Sequence, residues 1–198
     1  MDFNLTPDVN ETRQAIRRFV ADTILPLEAD PASYDDHENI RLDLLDDLRT
    51  KAKSEGLWAL SMPTARGGRG FDTVGMAACY EEMNRSIFGP VVFVLNKVAT
   101  DAQKEQWLQP IIDGTVRSSI VMTEPAPGAG SDPSGMMQTR AEKKGDKWIV
   151  HGRKWFITGA GVASHFILLA RTSDDARRNL TAFLFPKDQP GWKIERRI

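Results

Sequence analysis

Hydrophobic residues recur at helical spacing in the first part of the chain, up to about residue 115. The first such group is Ile16, Phe19, Val20, Thr23, Ile24 and Leu27, which fall on one helical face. Thr6 is placed to cap this helix, because Pro7 suits its first position. We expect Pro26 to end the helix, since proline lacks the N–H that a helix interior needs.

Three further helices are predicted in this part. The first places its apolar side chains on one face: Leu42, Leu44, Leu45, Leu48 and Ala52. Gly56 is the expected stop signal, and Leu57–Pro63 is expected to be extended. Asp72 is a cap for the next helix, and Thr100 with Gln103 forms a capping box for the last. The first part therefore reads as an all-α domain.

Strand patterns replace helical ones in the second part. The predicted strands are Arg117–Met122, Gln138–Lys144, Lys147–Val150, Phe166–Ala170 and Leu180–Phe185, with strand-like composition also at Trp155–Ile157. Gly145-Asp146 indicates a hairpin, and the continuous apolar run at Phe166 indicates a strand buried on both faces. Helices followed by strands predict an α+β fold, with an N-terminal helical domain over residues 1–116 and a β-domain over 117–198.

Composition narrows the functional classes. Lysine and arginine number 26 and aspartate and glutamate 27, so the net charge is −1, which argues against nucleic-acid binding. The lone cysteine, Cys79, fits a reducing compartment. No apolar run approaches the ~18 residues of a membrane span, and the first residues lack a signal-peptide pattern. We therefore expect a cytoplasmic protein. The three histidines are isolated in sequence, so no metal site is expected.

The stretch from Met122 to Asp132 carries the first candidate chemistry. It reads as a strand end entering a turn with several glycines, two hydroxyls and free backbone N–H groups. Such a turn suits a phosphate or the polar edge of a heteroaromatic ring. From composition alone, a plain surface turn is the better interpretation. A dinucleotide fingerprint is excluded here, because Pro133 occupies the third glycine position.

The stretch from Gly152 to Ala160 is the second candidate. In a strand, the adjacent Trp155 and Phe156 would place one ring on each face. One ring would then pack in the core while the other contacts a flat ligand. The alternative is that both rings fill the two faces of a barrel wall. Gly159-Ala160-Gly161 also fails the dinucleotide pattern.

Taken together, these motifs resemble the flavin-site motifs of acyl-CoA dehydrogenases. The motifs that carry the resemblance are Met122-Thr123-Glu124-Pro125, Gly130-Ser131-Asp132 and Lys154-Trp155-Phe156-Ile157-Thr158-Gly159. Trp107-Leu108-Gln109-Pro110 and Thr139-Arg140-Ala141 support them. The resemblance extends over essentially the whole chain, in matching order and separation.

The resemblance implies an N-terminal helical domain, an antiparallel, barrel-like β-domain and a C-terminal helical bundle. The bundle would lie beyond Ile198. It further implies an enzyme of fatty acid metabolism that uses FAD to oxidise an acyl-CoA thioester to the trans-2-enoyl-CoA. Electrons would pass to an electron-transfer flavoprotein, and the full-length protein would be a homodimer or homotetramer.

The resemblance also assigns cofactor-binding residues. The implied FAD-binding residues are Met122, Thr123, Gly130, Ser131, Phe156, Ile157 and Thr158. Met122 and Thr123 would line the pyrimidine edge, where N–H groups and the Thr123 hydroxyl stabilise negative charge on the reduced flavin. Ser131 would lie near the FAD pyrophosphate and the bound acyl-CoA.

Phe156 would lie against the flavin ring, Thr158 near flavin N5, and Trp155 would face the core. The base that removes the α-proton is expected in the C-terminal bundle, and Glu124 matches a structural glutamate instead. Two alternatives stay open. One is an oxidase or monooxygenase on the same scaffold, and the other is an inactive or partner-binding fragment without flavin.

Overall fold

Two structural units make up the chain in a computed structural model: Met1–Ile112 and Asp113–Ile198. The structure describes residues 4–36, 39–86, 98–130, 133, 135–175 and 178–196. The first unit is helical and the second carries a β-sheet, which confirms the predicted α+β class.

The first unit contains the four predicted helical regions, and the three with a predicted cap (Thr6, Asp72 and Thr100) start at it. They are α1 Pro7–Phe19, α2 Leu25–Ala29, α3 Leu42–Ser54, α4 Thr73–Met83, α5 Asp101–Gln103 and α6 Gln109–Ile112. Thr6 Oγ1 accepts the Val9 N–H, and Asp72 Oδ1 accepts the Gly75 N–H at 2.8 Å. At α5, Thr100 and Gln103 form the capping box. The sequence rules for helix starts therefore hold here.

The prediction that Pro26 ends the first helix is wrong. A π-helical segment, Val20–Ile24, joins α1 to α2, and the helical path runs on to Ala29. The Leu25 N–H bonds to the Val20 carbonyl, five residues back, so a wider turn precedes the proline. Pro26 lies in the first turn of α2, where an N–H has no acceptor within the helix, so its missing N–H costs no hydrogen bond.

The segment Leu57–Pro63, expected to be extended, forms turns instead. Gly56 (φ +70°) ends α3 as predicted, but Ala59 also takes a left-handed φ of +53°. The Met62 N–H then donates to the Ala59 carbonyl at 2.8 Å. A positive φ in a non-glycine residue has no sequence signal here, which explains the error.

An apolar cluster lies at the core of the first unit. Its buried members are Ile16, Phe19, Val20, Leu48, Leu57, Leu60, Met76 and Cys79. Burial raises the pKa of the Cys79 thiol. Beside this core, Glu82 of α4 is buried and accepts two hydrogen bonds from Arg17 of α1, at 2.6 and 2.9 Å. Arg17 holds the pKa of Glu82 below its usual value.

The second unit is a five-stranded sheet. Its strands are β1 Ser118–Val121, β2 Arg140–Lys144, β3 Lys147–His151, β4 His165–Arg171 and β5 Leu180–Pro186. β1 runs parallel to the first half of β4, and β5 runs antiparallel along all of it. The β2–β3 hairpin, confirmed at Gly145-Asp146, joins β4 through the parallel pair Arg140–Arg171.

The antiparallel, barrel-like sheet expected from the resemblance needs correction. The sheet is mixed, because β4 has parallel partners in β1 and β2. Among the described residues it does not close, since β3 pairs only with β2. Long connections between β1, β2 and β4 permit parallel pairing, which a tight hairpin cannot produce.

Strand β4 pairs with β1, β2 and β5, and most of its residues are buried, as the apolar run predicted. The buried cluster around it is Val121, Ala141, Ala163, Phe166, Leu168 and Ala170. The Phe166 ring contacts Trp192 and Phe185, with centroids 4.6 and 5.3 Å away. None of the helices within the described ranges has the length and hydropathy to cross a membrane.

Candidate functional site

The two candidate motifs lie side by side in the second unit. The first loop (residues 122–130) follows β1, and the second loop (residues 152–164) connects β3 to β4. Thr123 and Trp155 join them by two hydrogen bonds. The Trp155 N–H donates to the Thr123 carbonyl at 3.1 Å, and the Thr123 hydroxyl donates to the Trp155 carbonyl at 2.6 Å. Residues some 30 positions apart in sequence therefore form one site.

A buried ion pair lies directly beneath this junction. Lys154 Nζ lies 2.9 Å from Glu124 Oε1, and their side chains are only 4% and 2% exposed. Nζ also donates to the Met122 carbonyl at 2.8 Å and contacts Met137 Sδ at 2.8 Å. The ammonium thus bonds to both residues that flank Thr123.

The Glu124 carboxylate is well supplied with donors. The Gln138 N–H donates to Oε2 at 2.6 Å, and the Thr139 N–H donates to Oε1 at 2.9 Å. Burial alone would raise the pKa of Glu124. The neighbouring Thr139 hydroxyl, these N–H groups and Lys154 outweigh burial and lower its pKa to about 2. Burial lowers the pKa of Lys154, and Glu124 opposes that shift.

The low pKa of Glu124 predicts a pH dependence of stability. Because the folded pKa is about 2 and the ordinary value 4.5, the stabilisation is present above about pH 4.5 and is lost as pH falls towards 2. It corresponds to about 3 kcal/mol. Chemical denaturation at several pH values between 5 and 2 measures it. Over this range the free energy of unfolding of Glu124→Gln should fall by about 3 kcal/mol less than that of the unchanged protein. If the two free energies fell in parallel with pH, the low pKa of Glu124 would be contradicted.

The first loop turns tightly around Glu124. The Glu124 N–H donates to the Ala129 carbonyl at 2.8 Å, and the Gly128 N–H donates to the Pro125 carbonyl at 2.7 Å. The Ala126–Pro127 bond is cis. A Cβ at Gly128 would lie 2.6 Å from the Glu124 side chain, so only glycine fits. Gly130 is exposed, and a Cβ there would meet none of the described residues beyond its chain neighbours within 4 Å. Ser131 and Asp132 lie outside the described residues.

The prediction of a strand at Trp155–Ile157 is wrong, and so is the expected burial of Trp155. Phe156 takes a left-handed φ of +51°, which breaks the alternation of a strand. Trp155 is 41% exposed and Phe156 63% exposed, with ring centroids 4.7 Å apart. Both rings therefore form an exposed aromatic surface next to Thr123. Ile157, by contrast, is half-buried and packs against the sheet core.

Backbone N–H groups of Phe156, of the two residues after it and of Thr123 are available as donors. Within the described part of the chain, the N–H groups of Thr123, Phe156, Ile157 and Thr158 donate to no oxygen. Ser119 of β1, which is buried, fixes the second loop by donating to the Thr158 carbonyl at 2.6 Å. The Thr123 hydroxyl donates to Trp155, so the Thr123 N–H, and not its hydroxyl, is the available donor.

This set of groups fits a flat cofactor with a polar edge. An exposed ring offers a stacking surface, and the free N–H groups would stabilise negative charge on a ring edge. Among described side chains, no group of three His, Cys, Asp or Glu residues could hold a metal ion. Sequence reasoning missed the roles of Ser119 and Lys154. A charged residue directly before an aromatic pair was the available signal for Lys154.

Comparison with known proteins identifies the class to which this chain belongs. The sequence model of the acyl-CoA dehydrogenase N-terminal domain matches residues 6–115, and that of the acyl-CoA dehydrogenase middle domain matches residues 119–198. The chain is a member of the acyl-CoA dehydrogenase family, which confirms the resemblance drawn from the motifs.

Individual relatives agree with this assignment. The chain is 28% identical to (R)-benzylsuccinyl-CoA dehydrogenase of Thauera aromatica, over 98% of this chain and 52% of the relative. It is 28% identical to acyl-CoA dehydrogenase family member 11 of Rattus norvegicus, over 94% of this chain and 26% of the relative. The chain thus spans about a quarter to a half of the curated relatives that it matches.

Solved structures share the fold. A glutaryl-CoA dehydrogenase from Mycobacterium smegmatis superposes with a TM-score of 0.75 at 28% identity, covering 96% of this chain and 48% of that chain. A glutaryl-CoA dehydrogenase from the same organism, solved in complex with FADH2, gives a TM-score of 0.73 at 24% identity, over 96% of this chain and 48% of that one.

Proposed function

We propose that this chain forms the flavin-facing part of an acyl-CoA dehydrogenase. The observation that carries the proposal is the junction of the two loops at Thr123 and Trp155, with free N–H groups around the exposed Phe156 ring. Relatives named as dehydrogenases of glutaryl-CoA and (R)-benzylsuccinyl-CoA support a CoA thioester as substrate. The reaction is the removal of hydrogen from the α and β carbons, giving the trans-2-enoyl-CoA.

FAD would supply the hydride acceptor. In our proposal the Phe156 ring lies against the flavin, and Ile157 supports that loop from the core side. The N–H groups of Thr123 and Thr158 face the flavin edge, where they stabilise negative charge as the ring is reduced. Met122 lies along the same edge. Gly130 and Ser131 would contact the pyrophosphate, and Ser131 would also contact the acyl-CoA, as the family resemblance implies.

Glu124 is not the base that removes the α-proton. Its carboxylate is buried, paired with Lys154 and has a pKa of about 2, so it is a poor proton acceptor near neutral pH. We therefore assign the base to none of the described residues. Electron transfer to an electron-transfer flavoprotein, homo-oligomeric assembly, a role in fatty acid metabolism and a cytoplasmic location belong to the same proposal.

Visible absorption of the complete enzyme, loaded with FAD and freed of excess, tests the proposal. We expect a retained flavin band that bleaches when acyl-CoA is added without oxygen. Phe156→Ala should weaken FAD binding about tenfold, because the stacking surface is lost. Trp148→Ala is the matched control, because Trp148 is an exposed aromatic residue on β3 and not in the second loop. It should change the affinity for FAD less than twofold. A colourless wild-type protein, or a flavin that no acyl-CoA reduces, would refute the proposal.

A further inference from the structure

We propose that Lys154 and Glu124 are positioning residues of the dehydrogenase reaction: their buried ion pair sets the position of the two loops that face the flavin. The inference rests on the proposed function. It concerns what holds the Thr123 and Phe156 backbone donors in place, since neither Lys154 nor Glu124 is itself exposed at the site.

The contacts of Lys154 support this inference. Its ammonium bonds to Met122 and Glu124, which flank Thr123 in the first loop, and reaches Met137 on the segment that leads into β2. The next residue, Trp155, bonds twice to Thr123 itself. One side chain therefore fixes both loops to each other and to the sheet.

The energetics of buried ion pairs also favour a positioning role for Lys154 and Glu124. A buried pair is seldom more stable than apolar residues of similar volume, because removing two charges from water offsets their attraction. Directional bonds, however, specify one backbone geometry where apolar contacts permit several. Stabilisation of charge on a flavin edge depends on such fixed donors. The pair is thus better explained by loop position than by stability.

The midpoint potential of the bound flavin separates positioning from a simple charge effect. Through charge alone, Glu124→Gln removes a negative charge and would raise the potential, whereas Lys154→Met removes a positive charge and would lower it. If the ion pair positions the loops, either substitution moves the Thr123 and Phe156 backbone donors away from the flavin, and the reduced flavin is then less stabilised. We therefore expect both to lower the potential, by about 30 mV for a tenfold weaker preference for reduced flavin.

Amide hydrogen exchange gives a readout that needs no flavin. The Trp155 N–H, bonded to the Thr123 carbonyl, should exchange about tenfold faster in either variant of the apoprotein. Glu82→Gln is the matched control. It neutralises an equally buried carboxylate in the other unit and should lower thermal stability without changing the potential or the Trp155 exchange.

Each single variant leaves one buried charge without its counter-charge, so the double variant Glu124→Gln/Lys154→Met is included to secure a folded protein. Positioning predicts that it too has a lowered potential, although its net charge is unchanged. Potentials that shift in opposite directions, or that stay at the wild-type value with slow Trp155 exchange, overturn this inference alone. A wild-type enzyme that holds no FAD overturns both this inference and the proposed function.

Discussion

Lys154→Ala is expected to lower the free energy of unfolding by about 3–5 kcal/mol. The substitution leaves the Glu124 carboxylate, only 2% exposed, without its cation. Three backbone N–H groups still bond to it, from Ala129, Gln138 and Thr139, but they carry no full charge. The alanine also leaves a cavity where the lysine stem was packed. Urea denaturation at pH 7 measures the change.

Arg153→Ala is the matched control for this substitution, one residue earlier in the chain. Arg153 pairs with Glu195 at 3.0 Å, but the two side chains are 70% and 58% exposed. Exposed pairs contribute little, so we expect a loss below about 1 kcal/mol. If both substitutions lowered the free energy of unfolding equally, burial of the Lys154–Glu124 pair would not explain the loss in Lys154→Ala.

Much of the fold was predictable because local signals agreed with tertiary packing. Asp72 and Thr100 mark helix starts through side-chain caps that act over three residues. The apolar run of β4 is also a local signal, because consecutive apolar residues indicate a strand buried on both faces. The incorrect predictions lie where contacts between residues distant in sequence determine the backbone conformation. The sequence near Pro26 does not reveal the π turn that carries the helix onward.

For the candidate site, the sequence singled out two motifs but not their backbone geometry. The motifs singled out two separate stretches, and the structure brings Thr123 of one together with Trp155 of the other. The left-handed backbone of Phe156 was not predictable, because nothing local to an aromatic residue favours a positive φ. Trp155, the residue before Phe156, lies on the surface instead of in the core. The roles of the individual site residues, Ser131 among them, stay predictions.

Gly128→Ala is expected to destabilise the second unit by about 2–3 kcal/mol, in the range of overpacked interiors. The added Cβ would lie 2.6 Å from Glu124 Cβ and 2.8 Å from the Pro125 carbonyl, so the turn must open. Opening it would disturb the bond between Glu124 N–H and Ala129.

Gly130→Ala, two residues further along the same loop, separates this steric effect from loop flexibility. A Cβ there meets no atom of the described residues beyond its chain neighbours within 4 Å, so its free energy of unfolding should change by less than about 0.5 kcal/mol. Thermal and urea denaturation of both variants provide the comparison. Equal losses at the two positions would mean that general stiffening of the loop, and not the clash with Glu124, limits stability. A loss confined to Gly128→Ala would tie the first loop's geometry to Glu124, the same carboxylate that Lys154 holds.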